Sequence, residues 1–134
     1  MATITKGIEH LGLAVKDLKI TANFFIQALG FTKLGDKLDY PAMFLTDGVV
    51  KITLWQLRTQ EMSVEFNRFT NVGLHHVAFK VDEEELDQIF TRLSEFEGVT
   101  IEFAPEFMGT GLSRHMMVTE PGGIRIEFTA RKKN

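Results

Sequence analysis

The sequence predicts an α+β fold built from two tandem βαβββ modules. Three observations carry this reading: a strand-like segment recurs at half the chain's length, each copy runs into an amphipathic helix, and three further strand-like stretches follow each helix. The repeat aligns Ile8-Glu9-His10-Leu11-Gly12-Leu13-Ala14-Val15 with Leu74-His75-His76-Val77-Ala78-Phe79-Lys80-Val81, and residues 10 and 76 lie 66 apart in a chain of 134. Both segments alternate as half-buried strands do. Leu11, Leu13 and Val15 share one face, as do Val77, Phe79 and Val81. The opposite face carries His10, Gly12 and Ala14 in one copy, and His76, Ala78 and Lys80 in the other. Small residues beside a histidine leave space, so that face is expected to look into a cavity.

The helices follow at once. Asp17 is placed to cap the first, and Leu18, Ala22, Phe25 and Leu29 recur at helical spacing until Gly30 ends it. In the second copy Asp82 is the predicted cap. Glu83, Glu84 and Glu85 suit the positive end of the helix dipole, and Leu86, Ile89, Phe90, Leu93 and Phe96 form the apolar stripe before Gly98. The remaining strands are predicted over 32–38, 42–46 and 49–57, then over 99–103, 115–119 and 124–129. Turn residues separate them: Tyr40-Pro41, Asp47-Gly48, the stretch from Pro105 to Gly111, and Pro121-Gly122-Gly123. One domain, 1–134, therefore holds module one (about 6–58), a polar bridge (about 59–72) and module two (about 73–130). Val64, Phe66 and Phe69 in the bridge are expected to cover a partner or the site.

Composition narrows the function classes. Apolar residues make up 44% and charged residues 25%, enough for a core in which twelve Phe supply much of the bulk. A net charge of −3 argues against nucleic-acid or anionic-membrane binding. The Arg131-Lys132-Lys133 run reads as a solvated terminus. With no cysteine, disulfides, thiolate nucleophiles and Cys-type metal sites are all excluded. The beginning of the chain lacks the apolar stretch of a signal peptide and no run reaches membrane-spanning length, so a cytoplasmic protein is the default expectation.

Overlaying the last strands aligns Lys51-Ile52-Thr53-Leu54 with Arg125-Ile126-Glu127-Phe128. Val50, Ile52 and Leu54 fall on one face, and Thr53 falls on the other with Lys51 and Trp55. Ile124, Ile126 and Phe128 likewise oppose Glu127, Arg125 and Thr129. Pseudo-two-fold symmetry would bring His10, His76, Thr53 and Glu127 together. Two imidazoles and one carboxylate form a standard ligand set for a divalent metal, whereas a threonine hydroxyl is a weak donor. His75 is expected on the face opposite His76 and in a structural role. His115 is left outside the ligand set.

These segments resemble the vicinal oxygen chelate superfamily, which includes glyoxalase I, methylmalonyl-CoA epimerase, extradiol dioxygenases, and fosfomycin and bleomycin resistance proteins. The resemblance rests on the segment from Ile8 to Leu18, Phe24-Phe25 through Leu29-Gly30-Phe31, Gly73-Leu74-His75-His76-Val77-Ala78-Phe79, and Glu120-Pro121-Gly122-Gly123-Ile124-Arg125-Ile126-Glu127-Phe128. It implies a curved eight-stranded mixed sheet around a cavity, with helices on the outer face. It also implies a homodimer, whose sites lie within one chain or arise by module exchange, and one divalent metal ion (Fe, Ni, Zn, Mn or Co).

Carried over, the family's metal positions are His10, Thr53, His76 and Glu127. Thr53 stands where glyoxalases and the epimerase have Glu, Gln or a similar ligand, leaving His10, His76 and Glu127 as the metal set. The expected activity is metal-dependent lyase, isomerase or dioxygenase chemistry on a small oxygen-bearing substrate, with Glu127 as the proton-moving catalytic group. Thr53, Trp55, Arg114 and Arg125 are the expected substrate-binding residues. Arg114 follows the glycine-rich stretch Gly109-Thr110-Gly111-Leu112-Ser113, a lip from which it would reach a substrate anion. The alternative is a metal-free drug-binding protein of the bleomycin-resistance type. Trp55, Phe107, Met108, Met116 and Met117 would then line its groove.

Overall fold

A computed structural model describes residues 1–132. Arg131 and Lys132 of the basic tail are exposed, while Lys133 lies outside the described residues. The chain forms two compact units, Met1–Ser63 and a second beginning at Val64. Each is a βαβββ module with its own four-stranded mixed sheet.

The first module contains β1 (His10–Val15), α1 (Leu18–Asn23), β2 (Thr32–Lys37), β3 (Ala42–Thr46) and β4 (Lys51–Gln56), in sheet order β1-β4-β3-β2. The first and last strands run parallel because a helix returns the chain between them; the rest are antiparallel neighbours. Alternation then divides the sheet as the sequence predicts. Leu13, Val15, Leu45, Ile52 and Leu54 are buried on the helix side with Ala22, Phe25 and Ala28. Each large side chain so buried contributes on the order of 1.5–3 kcal/mol.

Asp17 caps α1, its Oδ1 accepting from Ile20 N–H at 3.1 Å. Regular helix then stops earlier than expected, because Phe24–Ala28 forms a π-helical turn. Phe24 and Phe25 are both fully buried, and they meet edge to face with ring centroids 5.6 Å apart. A single α-helical stripe does not turn two adjacent bulky residues inward so readily, whereas a widened turn does.

The second module repeats the plan with β5 (Val77–Lys80), α2 (Glu83–Glu95), β6 (Thr100–Phe107), β7 (Arg114–Thr119) and β8 (Arg125–Ala130), in order β5-β8-β7-β6. Leu86 and Leu93 of α2 are buried, as are Met116, Val118, Ile126 and Phe128 of the sheet. The acidic first turn is as predicted, but Asp82 caps through its backbone only. Its carbonyl accepts from Glu85 N–H at 3.0 Å, and among the described residues its side chain makes no capping hydrogen bond.

Two strand boundaries differ from expectation. β6 continues through Pro105 to Phe107 instead of breaking there. It is an edge strand whose pairing slips between Phe103 and Glu106, so a residue without an N–H is accommodated. β5 begins only at Val77, so Leu74, His75 and His76 precede the strand. The period-two rule therefore does not force the two histidines onto opposite faces.

The turn between β7 and β8 fixes the register that the site needs. Glu120 is almost fully buried at 1% exposure, and its carboxylate accepts from Gly122 N–H at 2.8 Å and Ile124 N–H at 3.0 Å. Gly98 supports this turn from the end of α2. It has φ +87°, and a Cβ there would lie 2.9 Å from Pro121 Cβ, so only glycine fits. In the bridge, Val64 and Phe69 are exposed, and the Arg68 guanidinium lies 4.6 Å from the centre of the Phe69 ring. Among the described residues no helix is long and apolar enough to cross a membrane.

Candidate functional site

The two modules place their matched positions alike. In the first, Gly12 of β1 is opposite Thr53 of β4; in the second, Ala78 of β5 is opposite Glu127 of β8. His10 and His76 each lie two residues before those small residues. The repeat is therefore real in register, and Thr53 and Glu127 are equivalent residues that have diverged.

In the first module, the sheet face away from α1 is open. A cavity of about 360 Å³ lies over it, lined by His10, Leu34, Phe44, Lys51, Thr53 and Trp55. Gly12 makes room for it, because a Cβ there would stand 3.2 Å from Thr53 Oγ1 and 3.6 Å from Trp55 Nε1. The Trp55 indole donates to Thr53 Oγ1 at 2.9 Å and packs edge to face on Tyr40 and Phe44. The threonine hydroxyl thus helps fix the indole as a wall. His10 is half exposed, with Nδ1 3.1 Å from Glu9 Oε1. That bond, with Lys51 nearby, holds the Glu9 carboxyl below its ordinary value.

In the second module, His76 and Glu127 are brought together, with His76 Nε2 3.4 Å from Glu127 Oε1. The other carboxylate oxygen, Oε2, accepts from His115 Nδ1 at 2.5 Å. His115 in turn packs against the Phe103 ring. His115 lies outside the set expected from the sequence, although the signal was present. β7 pairs with β8 so that His115 faces Thr129 and Met117 faces Glu127; residues two apart share a face, which makes His115 the diagonal neighbour of Glu127.

His75 also takes a place other than the predicted one. Its Nδ1 is 2.7 Å from His76 Nδ1, and the Arg125 guanidinium reaches the same His75 nitrogen at 3.2 Å. Desolvation and the Arg125 charge push the His75 imidazole below its ordinary value.

The two expected substrate arginines are engaged within the protein. Arg125 makes a two-pronged contact with Glu102, at 2.8 and 2.6 Å. This contact raises the Arg125 value and lowers that of Glu102. Arg114 is not a free cation on a lip. Its guanidinium grips α2 through Glu83 at 3.0 Å and Asp87 at 2.9 Å, because residues four apart on a helix share a face. The preceding glycine-rich stretch is a closed hairpin turn in which Met108 N–H donates to Ser113 O at 2.8 Å.

Among the described residues, neither module by itself gathers three His, Asp or Glu donors into a metal centre. His10 belongs to the first module, and His76 and Glu127 to the second.

Solved structures share this architecture. The chain is similar to the fosfomycin resistance protein FosX of Listeria monocytogenes, with 20% identity over 96% of both chains and a TM-score of 0.76. It is also similar to a glyoxylase/bleomycin resistance protein/dioxygenase domain from Frankia sp. EAN1pec. There the identity is 19%, over 97% of this chain and 95% of that one, and the TM-score is 0.82. A mutant FosX complexed with Mn(II) and a dihydroxypropylphosphonic acid matches with 19% identity and a TM-score of 0.74, over 96% of this chain and 93% of that one. At such identities these likenesses speak for the fold. The model of the Glyoxalase/Bleomycin resistance protein/Dioxygenase superfamily matches residues 7–128, nearly the whole chain and both repeats, and the chain belongs to that superfamily.

Proposed function

We propose that the protein is a divalent-metal-dependent enzyme acting on a small oxygen-bearing substrate. Its metal ligands are His76 and Glu127 of the second module with His10 of the first, drawn from one chain or from two copies in a homodimer. The observation that carries the reading is the 3.4 Å approach of His76 Nε2 to Glu127 Oε1. Two donors each about 2.1 Å from one ion at a tetrahedral angle stand about 3.4 Å apart, so this pair fits a divalent ion. The donor types, imidazole and carboxylate, suit Fe, Ni, Zn, Mn or Co. Support also comes from the Mn(II) bound by a FosX mutant of the same fold.

A bound ion would supply Lewis acidity to two neighbouring substrate oxygens. Glu127 is also assigned the proton transfer, and the hold of His115 on its Oε2 supports a carboxylate kept in one orientation. Trp55 and Thr53, with Phe44, give the apolar body of a small substrate a wall, and Lys51 offers a cation at the same cavity. Arg125 is assigned to positioning His75 and Arg114 to bracing α2, since both are taken up by carboxylates.

Elemental analysis of freshly purified protein, with thermal melting across added metals, tests the reading. It expects a divalent ion at about one per chain and a rise in midpoint with metal; an ion at a hundred times its Kd adds about 2.7 kcal/mol. Absence of both effects overturns it. The Trp55 cavity favours a second reading, a metal-free small-molecule binder. His76→Ala protein that still binds its ligand as the wild type does would support that instead.

A further inference from the structure

The histidine pair just before β5 constrains its own tautomers. His75 Nδ1 lies 2.7 Å from His76 Nδ1, a distance at which one nitrogen donates and the other accepts. Arg125 Nη1 also lies 3.2 Å from His75 Nδ1. A guanidinium has only donors, so His75 Nδ1 is the acceptor of that contact and carries a lone pair. The remaining partner, His76 Nδ1, must then carry the hydrogen. Arg125 is itself held in place by both oxygens of Glu102, at 2.8 and 2.6 Å, so the chain of constraints ends in a bidentate ion pair.

We infer that His75, oriented by Arg125, is a positioning residue that holds neutral His76 in the Nδ1–H tautomer and leaves His76 Nε2 bare toward Glu127. The consequence lies at the other edge of the ring. Nε2 is 3.4 Å from Glu127 Oε1, and in this tautomer two lone-pair atoms face each other with no hydrogen between them. Such a pair is unfavourable until a cation occupies the gap. In the opposite tautomer, Nε2–H would turn toward the carboxylate and close the gap. Free imidazole does not by itself hold the Nδ1–H form, so an external acceptor is needed, and His75 is that acceptor. The importance of the bare nitrogen for metal rests on the proposed function; the tautomer itself does not.

Ring-nitrogen NMR of the ¹⁵N-labelled, metal-free full chain tests this, at a pH above the ordinary imidazole range. His76 signals are assigned by their loss in His76→Gln. The expected result is a protonated Nδ1 and an unprotonated Nε2 for His76, with this preference lost in His75→Phe and restored in His75→Gln, whose amide oxygen can accept. A wild-type His76 with the proton on Nε2, or one unchanged by His75→Phe, overturns the inference. Zn(II) or Mn(II) titration of the same samples separates the two ideas. His75→Phe should weaken binding about 10–100-fold, with recovery in His75→Gln. Wild-type protein that shows the Nδ1–H tautomer yet takes up neither metal would sustain this inference and refute the metal-enzyme reading.

Discussion

His115 Nδ1 donates to Glu127 Oε2 at 2.5 Å, pinning one oxygen of a carboxylate whose other oxygen faces His76. A carboxylate held by one edge keeps its free oxygen in a fixed direction, as a ligand or a proton carrier requires. Replacing His115 with Phe should therefore weaken metal binding about 10–100-fold and leave the far-ultraviolet circular dichroism unchanged. His115→Asn, which retains a donor, should recover part of that loss in a direct titration.

The cavity of the first module depends on Gly12. A Cβ there meets Thr53 Oγ1 at 3.2 Å, so Gly12→Ala should fold at a cost under about 1 kcal/mol and shift the indole slightly. Gly12→Leu fills the space itself and should abolish ligand binding. Trp55 is the only tryptophan in the chain, so its fluorescence reports both outcomes directly.

Arg114 ties β7 to α2 through Glu83 and Asp87. Its hydrogen bonds to Asp87 hold that carboxyl below its ordinary 3.8. A carboxyl lowered in the folded state stabilises the protein above its unfolded value, and the contribution is lost as pH falls through the lower folded value. Urea midpoints of the wild type and Arg114→Gln should differ at pH 7 and converge as the medium is acidified below about pH 3.8. Ligand binding at pH 7 should be the same in both. Weaker binding in Arg114→Gln would return the residue to the substrate.

The core of the first module predicts a large effect. Phe25 is fully buried within the π-helical turn and meets Phe31 edge to face at 5.1 Å. Phe25→Ala should cost about 3–5 kcal/mol in chemical denaturation.

Much of this was legible in the sequence, because period-two alternation and a 66-residue offset are direct consequences of strand geometry and duplication. The equivalence of Thr53 and Glu127 follows from that logic, and register bears it out in Gly12 opposite Thr53 and Ala78 opposite Glu127. What alternation cannot convey is where a strand begins. The surroundings of His75 differ from those that alternation predicts because β5 starts at Val77, and a residue outside the ladder is free of its period. The pairing of Arg114 is not legible for another reason. Its partners Glu83 and Asp87 lie on a helix about thirty residues earlier, and no local pattern announces a contact across such a separation. Pro105 signalled a break that an edge strand did not need to make.

The most direct test of the central claim is calorimetric titration of the metal-free full chain with Mn(II) and Zn(II), comparing wild type with His10→Ala, His76→Ala and Glu127→Gln. The wild type should bind about one ion per chain, and each variant should lose at least tenfold in affinity, with unfolding midpoints of the metal-free proteins close to one another. Wild-type protein that binds neither ion, or variants that bind as tightly as the wild type, would contradict it.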